Sequence, residues 1–204
     1  YWEIYGEVPE MTAWDLPVAL TVAGEEYQIR TDFRVILDIM AALNDPDLFE
    51  KDADEEERKR VSMLTILQIL YIDFETIPTE NYNEALERAV DFIDMGIRDN
   101  GKRKPHTMDW EQDAQIIIPA LNRVQGREIR ELKYLHWWTF LGSYMEIGEC
   151  LFAQVVHIRQ KKQQHQKLEK WEREFYNANK DIIDIRKKVS TEQKKEMENL
   201  GKWL

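Results

Sequence analysis

In PVALTVAGEEYQIRTD, residues 17–32, Val18, Leu20 and Val22 recur at every second position, as do Tyr27 and Ile29, with Gly24 between them. A period of two is that of a half-buried strand, so the segment predicts a hairpin turned at Gly24. The period then lengthens. Phe33, Ile36, Leu37 and Met40 stand at i, i+3, i+4 and i+7, which is one face of a helix. Thr31-Asp32 offers N-cap oxygens to it, and Asn44-Asp45-Pro46 stops it. DADEEERKR places acidic residues ahead of basic ones, the order a helix dipole prefers. Val61, Leu64, Ile66, Leu67, Ile69 and Leu70 follow on the same helix. Asn81 with Glu84 predicts a capped start for NEALERAVDFIDMG, ended by Gly96.

IRDNGKRKPHT, residues 97–107, reads as a loop punctuated by Asn100-Gly101 and Pro105. A helix is expected to restart near Asp109, with Trp110, Ala114, Ile117, Ile118 and Leu121 on one face. Pro119 lacks a backbone donor and is expected to kink or interrupt it; Gly126 should end it. The following helix is expected from about Ile129 to about Gly148. It contains YLHWWTF, four aromatic rings and a histidine in seven positions. Set on a helix, Leu135, Trp138 and Met145 share one side and Tyr134, Trp137, Leu141 and Tyr144 an adjoining one. Only His136, Thr139 and Ser143 make a polar strip. A helix apolar over most of its circumference is buried on most sides, in a bundle or at an interface. The preference of large apolar residues for interiors favours the core, with His136 a core histidine whose ring nitrogen is satisfied.

From His157 the pattern thins. Leu168, Trp171 and Phe175 keep a helical spacing among charges that read as a solvated face, and Ser190 with Gln193 predicts another capping box. Charge draws the same boundary. The net charge is -11, but residues 157–204 carry 13 Lys+Arg against 8 Asp+Glu, leaving 15 against 31 in the remainder. The reading is therefore an acidic, mostly helical core over residues 1–156, opened by a short β-hairpin, and a basic helical extension over residues 157–204.

That charge balance disfavours nucleic acid as the main partner. Lys161, Lys162, Lys167, Lys170, Arg186, Lys187 and Lys188, with Trp171 and Tyr176 nearby, leave it as a minor alternative. No apolar run approaches the roughly 18 residues of a membrane span, and no signal peptide is visible from Tyr1. The single Cys150 makes no internal disulfide, and a reducing cytoplasm is the expected setting. His106, His136, His157 and His165 show no spacing of a metal site. Cys150 lies in the apolar GECLFAQVV, where a small buried thiol is a better reading than a nucleophile. Nor is there a P-loop, GxSxG or GxGxxG. Neither an enzyme nor a cofactor is expected.

The stretch DWEQDAQIIIPALNRVQGREIRELKYLHWWTFLGSYMEIG, through Trp110, Asp113, Ile116, Leu132, Leu135, His136, Trp137, Trp138 and Phe140 in order, resembles the bacteriophage Gp15 family. TDFRVILDI after a short hairpin, and KLEKWEREFYNANKDIIDIRKK in the charged tail, extend the resemblance from about residue 17 to about residue 188. Pro119 departs from it, standing where an ordinary helix former is expected. The family comprises small proteins of tailed phages and prophages of Gram-positive bacteria. The resemblance implies a tail assembly chaperone acting in the host cytoplasm. Its partners would be the tape-measure protein, the tail-tube protein or both, with self-association a further expectation. A structural component retained in the virion is the alternative. Trp110, Asp113, Leu135 and His136 are then motif residues of structural role. The candidates for partner contact are Tyr134, Trp137, Trp138 and Phe140, at least two of them expected in the core, together with the terminal apolar pair Trp203 and Leu204.

Overall fold

The computed structural model describes residues 14–50, 52–97, 107–193 and 195. Trp203, Leu204 and His106 lie outside them, as does all but the two ends of the expected loop at 97–107. The fold is mainly α with one antiparallel hairpin at its N-terminal side, as the hydrophobic pattern predicts.

Strands β1 (Ala19–Val22) and β2 (Glu25–Gln28) pair with Val22 opposite Glu25. Leu20 and Val22 are buried, as is Ile29 just beyond β2. The two turn residues both have positive φ, Ala23 at 50° and Gly24 at 84°, the backbone pattern of a type I′ hairpin turn. Glycine adopts it freely, whereas alanine there is strained. Ala23→Asn is expected to raise stability by about 0.5–1 kcal/mol. An unchanged urea midpoint would show that the turn carries no such strain.

Beyond β2 the chain joins the end of a helix. Helix α1 (Phe33–Leu43) starts at Asp32, whose side chain accepts from the Arg34 N–H, and stops at Asn44. Helix α2 (Glu55–Leu70) is capped by Asp54, with Glu55, Glu56 and Glu57 in its first turn. At its far end no basic residue of its own meets the dipole. Arg30 does so instead, donating to the carbonyls of Ile69 (2.9 Å) and Tyr71 (2.6 Å), while Ile29 and Tyr71 form an antiparallel bridge. The hairpin thus closes the C-terminus of α2.

Helix α3 (Tyr82–Ile93) follows two 3₁₀ turns. Asn81 precedes it but its side chain makes no cap bond, because the turn Thr79–Asn81 runs straight into the helix and the expected capping box is not formed. Helix α4 (Ala114–Gln125) ends at Gly126, φ 69°. The helix starts later than expected, and it is not interrupted at its proline. Residues 110–113 form a turn rather than the first turn of the helix, held by Asp109, which accepts from the N–H groups of Glu111 and Gln112. The helix also runs unbroken through Pro119. Pro119 and Gln115, the residue whose carbonyl it leaves without a donor, both lie on the exposed face, where solvent has access to that carbonyl.

The segment around YLHWWTF is corrected more sharply. A 3₁₀ turn covers Ile129–Glu131, residues 132–136 leave helical geometry, and α5 is only Trp137–Met145. Helices α6 (Leu151–Gln163), α7 (Lys170–Ala178) and α8 (Lys180–Ile183) complete the described fold.

The main core gathers the inner face of the hairpin with α1 to α5 and the start of α6. A second cluster joins Val155 and Ile158 of α6 to Ile183 of α8, with Ile116 of α4 packed against it. The charge boundary at 156/157 therefore falls inside α6. From Asp184 to Ser190 the chain crosses the body without regular structure, and residues 191–193 turn helical. Gln112 donates to the Asp184 carbonyl and accepts from the Arg186 N–H, Lys188 pairs with Glu111, and Thr191 binds Asp47. Ser190 and Gln193 exchange the two bonds of the expected capping box.

Candidate functional site

Two stretches far apart in sequence, TDF at 31–33 and LHW at 135–137, lie side by side where α1 and α5 begin. Asp32 and His136 form an antiparallel bridge. Phe33 N–H donates to the Leu135 carbonyl at 3.0 Å, and Trp137 N–H to the Thr31 carbonyl at 2.7 Å. One Asp32 oxygen caps α1 while the other accepts from the Leu135 N–H. The Phe33 and Phe140 rings stack with centroids 4.6 Å apart. The residue pair preceding each helix thereby supplies a backbone acceptor to the other helix's first turn, where N–H groups would otherwise lack one.

His136 is the N-cap of α5. Its Nδ1 accepts from the Trp138 N–H at 3.0 Å, so Nε2 carries the proton and donates to the Pro17 carbonyl at 2.9 Å. Both nitrogens of a buried ring are satisfied, and burial lowers its pKa from the usual value. A protonated ring has no free Nδ1 with which to cap. This residue's contribution to stability is thus complete above about pH 6.5 and lost as pH falls below it.

Trp137 and Trp138 turn to the other end of α3. The Trp137 indole N–H donates to the Ile93 carbonyl and that of Trp138 to the Phe92 carbonyl, each at 2.8 Å. They serve as donors for the last carbonyls of α3, which have no partners within the helix. Trp137 is 1% exposed and Phe140 2%; neither presents surface to a partner in this conformation. Trp138 is half-buried beside Phe92. Tyr134, at 53%, is exposed, with its hydroxyl on Thr31 Oγ1 at 2.7 Å. Leu135 is buried, and Trp110 packs its ring against Trp137, Phe140 and Tyr144.

Asp113 belongs to a second constellation that periodicity did not reveal. Arg159 of α6 lies almost fully buried against it, Nη1 to Oδ2 at 2.6 Å and Nη2 to Oδ1 at 2.8 Å. The guanidinium's three other N–H groups donate to the carbonyls of Ile183, Thr107 and Ile182. All five donors are used. The pair ties α6 and α8 to the turn that leads into α4.

Glu172 on α7 is likewise 1% exposed. It accepts from Lys161, His157 and the Glu169 backbone, with the Lys161 bond the largest of the influences that hold its carboxyl at about 2. Its contribution to stability is present above about pH 4.5 and lost as pH falls toward 2. Glu172→Gln should therefore flatten the fall of thermal midpoint between pH 4.5 and 2, leaving the step below pH 6.5 that belongs to His136. An unaltered acid limb would show that the carboxylate plays no such part.

Of the seven basic residues singled out in the tail, Lys161, Lys162 and Lys188 are occupied by Glu172, Asp184 and Glu111. Cys150 is half-buried at the start of α6. Among the described residues no group of His, Cys, Asp and Glu is arranged to hold a metal ion, no buried side-chain polar atom lacks a partner, and no helix is long and apolar enough to cross a membrane. The polar groups inside this protein are spent on holding helices together.

A family model described as "Bacteriophage Gp15 protein" matches residues 14–185. No curated protein and no solved structure matches the chain.

Proposed function

From the premise that the chain belongs to the bacteriophage Gp15 family, we propose that it acts in building the tail of a phage, as a non-enzymatic assembly chaperone or adaptor. Its client would be the tape-measure protein, the tail-tube protein or both, held in the host cytoplasm before the tube closes. The match over residues 14–185 carries this reading. The structure is compatible with it in two respects. Its buried polar groups are satisfied within the fold, and apolar side chains remain half-exposed along α2 and at Tyr134. A long helical client with apolar stripes aggregates unless those stripes are covered, and an amphipathic groove is a general way to cover them.

Co-expression with the neighbouring tape-measure protein tests the proposal, followed by size-exclusion chromatography with light scattering. A soluble, co-eluting client is the expected result. A client that precipitates while this chain runs alone would overturn the reading. Mass spectrometry of purified particles separates the chaperone from a retained structural component, since stoichiometric presence in virions would exclude a transient role.

A further inference from the structure

The chain is held firmly up to Ile183 and only at the surface beyond it. Ile183 is fully buried, and Arg159 donates to its carbonyl. Asp184 is kept in place by Lys162 and the Tyr176 hydroxyl. No residue from 184 to 193 is buried, and Ile185, Val189 and Ser190 alone are half-buried. The Gln112 side-chain amide donates to the Asp184 carbonyl at 3.0 Å and accepts from the Arg186 N–H at 2.9 Å. Asp47 accepts from the Thr191 N–H at 2.9 Å and from its hydroxyl, and Lys188 pairs with Glu111. Exposed contacts of this kind add little stability, and salt weakens the charged ones. The segment is a strap that can lift from its root at Asp184 while the rest of the fold stays intact.

The surface beneath the strap has a chemistry of its own. Two of its contacts are made to main chain. Gln112 brackets Ile185 with one donor and one acceptor, as a neighbouring strand would, and Asp47 takes a further backbone N–H. Between these points Lys188 stands on the wall of a slot of about 240 Å³, floored by Leu37, Met40 and Ala41 of α1 with Trp110 and Ala114. The charged residues that the body contributes to that slot are Asp38, Asp109 and Glu111, all acidic. Among the described residues the one cation lining it is Lys188, which comes from the strap. Arg186 and Lys187 precede it in sequence. The strip fits an extended backbone carrying closely spaced cations, and the chain's own segment is seated there.

We infer that the strip of Asp47, Glu111 and Gln112, with its slot, is a docking site for an extended basic segment of a partner protein, and that residues 185–191 occupy it in cis until they are displaced. The site is thus autoinhibited: the apparent affinity for the partner falls with the fraction of chains whose strap is lifted. Backbone bonds to Gln112 and Asp47 hold the segment extended, and the acidic rim selects its charge. The inference goes beyond the proposed function, since it concerns this chain's own strap and holds whatever the client.

The test uses the full chain and two labelled peptides, followed by fluorescence anisotropy. One peptide has the sequence of residues 184–193, and in the other Arg186, Lys187 and Lys188 are replaced by glutamate. The strap is lifted in the full chain by Arg186→Pro, Lys188→Glu and Thr191→Pro together, changes at exposed positions that remove both backbone donors and the cation. The lifted chain is expected to bind the basic peptide on the order of tenfold more tightly than the wild type, in which the strap competes. The acidic peptide should not bind, and adding Glu111→Lys with Gln112→Ala to the lifted chain should abolish binding of the basic one. Circular dichroism confirms that each variant is folded; if the lifted chain does not fold, Lys188→Glu alone replaces it, with the same direction expected. Hydrogen exchange on the wild type gives an independent readout, the Arg186 and Thr191 amides being expected to open well before those of α6. Equal binding of the basic peptide by wild-type and lifted chains, no binding by the lifted chain, or equal binding of the two peptides overturns the inference. So do strap amides that open only together with α6, because the strap would then never lift. So does a wild-type dimer in light scattering that the lifted chain lacks, because the strap would then lie on a second copy.

Discussion

Arg159→Ala is expected to destabilise the fold by about 3–5 kcal/mol, the range for breaking a buried ion pair by removing one partner. The reason lies in what is left behind. Asp113 is 2% exposed and would be left buried with no guanidinium beside it. The carbonyls of Thr107, Ile182 and Ile183 would lose a donor together, each a cost of its own where water does not reach. Arg159→Lys should recover only part of the loss, since an ammonium cannot span both carboxylate oxygens in a fork. Replacing the pair together, Arg159→Met with Asp113→Leu, should cost far less than the two single changes added, because no charge is then stranded. Urea unfolding measures each of these chains, the single changes Arg159→Met and Asp113→Leu included. A midpoint for Arg159→Ala within about 1 kcal/mol of wild type would mean that the site is wet and that the pair does not clasp the tail. Hydrogen exchange supplies a local readout, with amides of α7 and α8 expected to open before those of α1 and α3.

That pair also marks where sequence reasoning stops. A face of α1 is visible because its side chains meet water on one side and the core on the other. The Asp32 cap, the Asn44 stop and the Gly126 end follow from local chemistry, and the structure has all three. Arg159 and Glu172 sit inside a run of Lys, Arg and Gln that looks solvated throughout. Their burial is decided by partners at Asp113 and His157, which no periodicity relates. Arg30 capping α2 across nearly forty residues is invisible for the same reason.

The start of α5 fails differently. Residues 134–140 are apolar over most of the helical circumference, so a helical wheel through them fixes the phase only weakly and hydrophobic periodicity does not separate a helix beginning at Ile129 from one beginning at Trp137. The usable signal was His136. It is one of the few residues of the segment with a side-chain acceptor for the second N–H of a helix, and histidine is rarely read as a cap. Among the residues that carry the family resemblance, Trp110, Asp113, His136, Trp137 and Phe140 touch one another or hold the elements that do.

Trp137→Ala is the second large effect, with an expected loss of about 3–5 kcal/mol, the range for emptying a buried aromatic site. The ring stacks on Phe140 at 5.5 Å, meets Trp110 at 6.5 Å, and donates to the Ile93 carbonyl. Phenylalanine at this position keeps most of the packing and removes the donor, so Trp137→Phe isolates the cap of α3 at about 1–3 kcal/mol. Tyr134→Ala removes an exposed ring and one bond to Thr31, and should cost about 1 kcal/mol or less. These differences decide how any loss of client binding is to be read. A protein short of 3–5 kcal/mol loses a partner because part of the population is unfolded, and the defect should vanish at a temperature low enough to refold it. Lost binding in Tyr134→Ala, with its thermal midpoint nearly intact, has no such escape and would place that ring at the contact. If instead Trp137→Ala keeps its midpoint within the Tyr134→Ala range, the ring is not the keystone of the junction between α1, α3 and α5, and its burial in one conformation is no bar to meeting a partner in another.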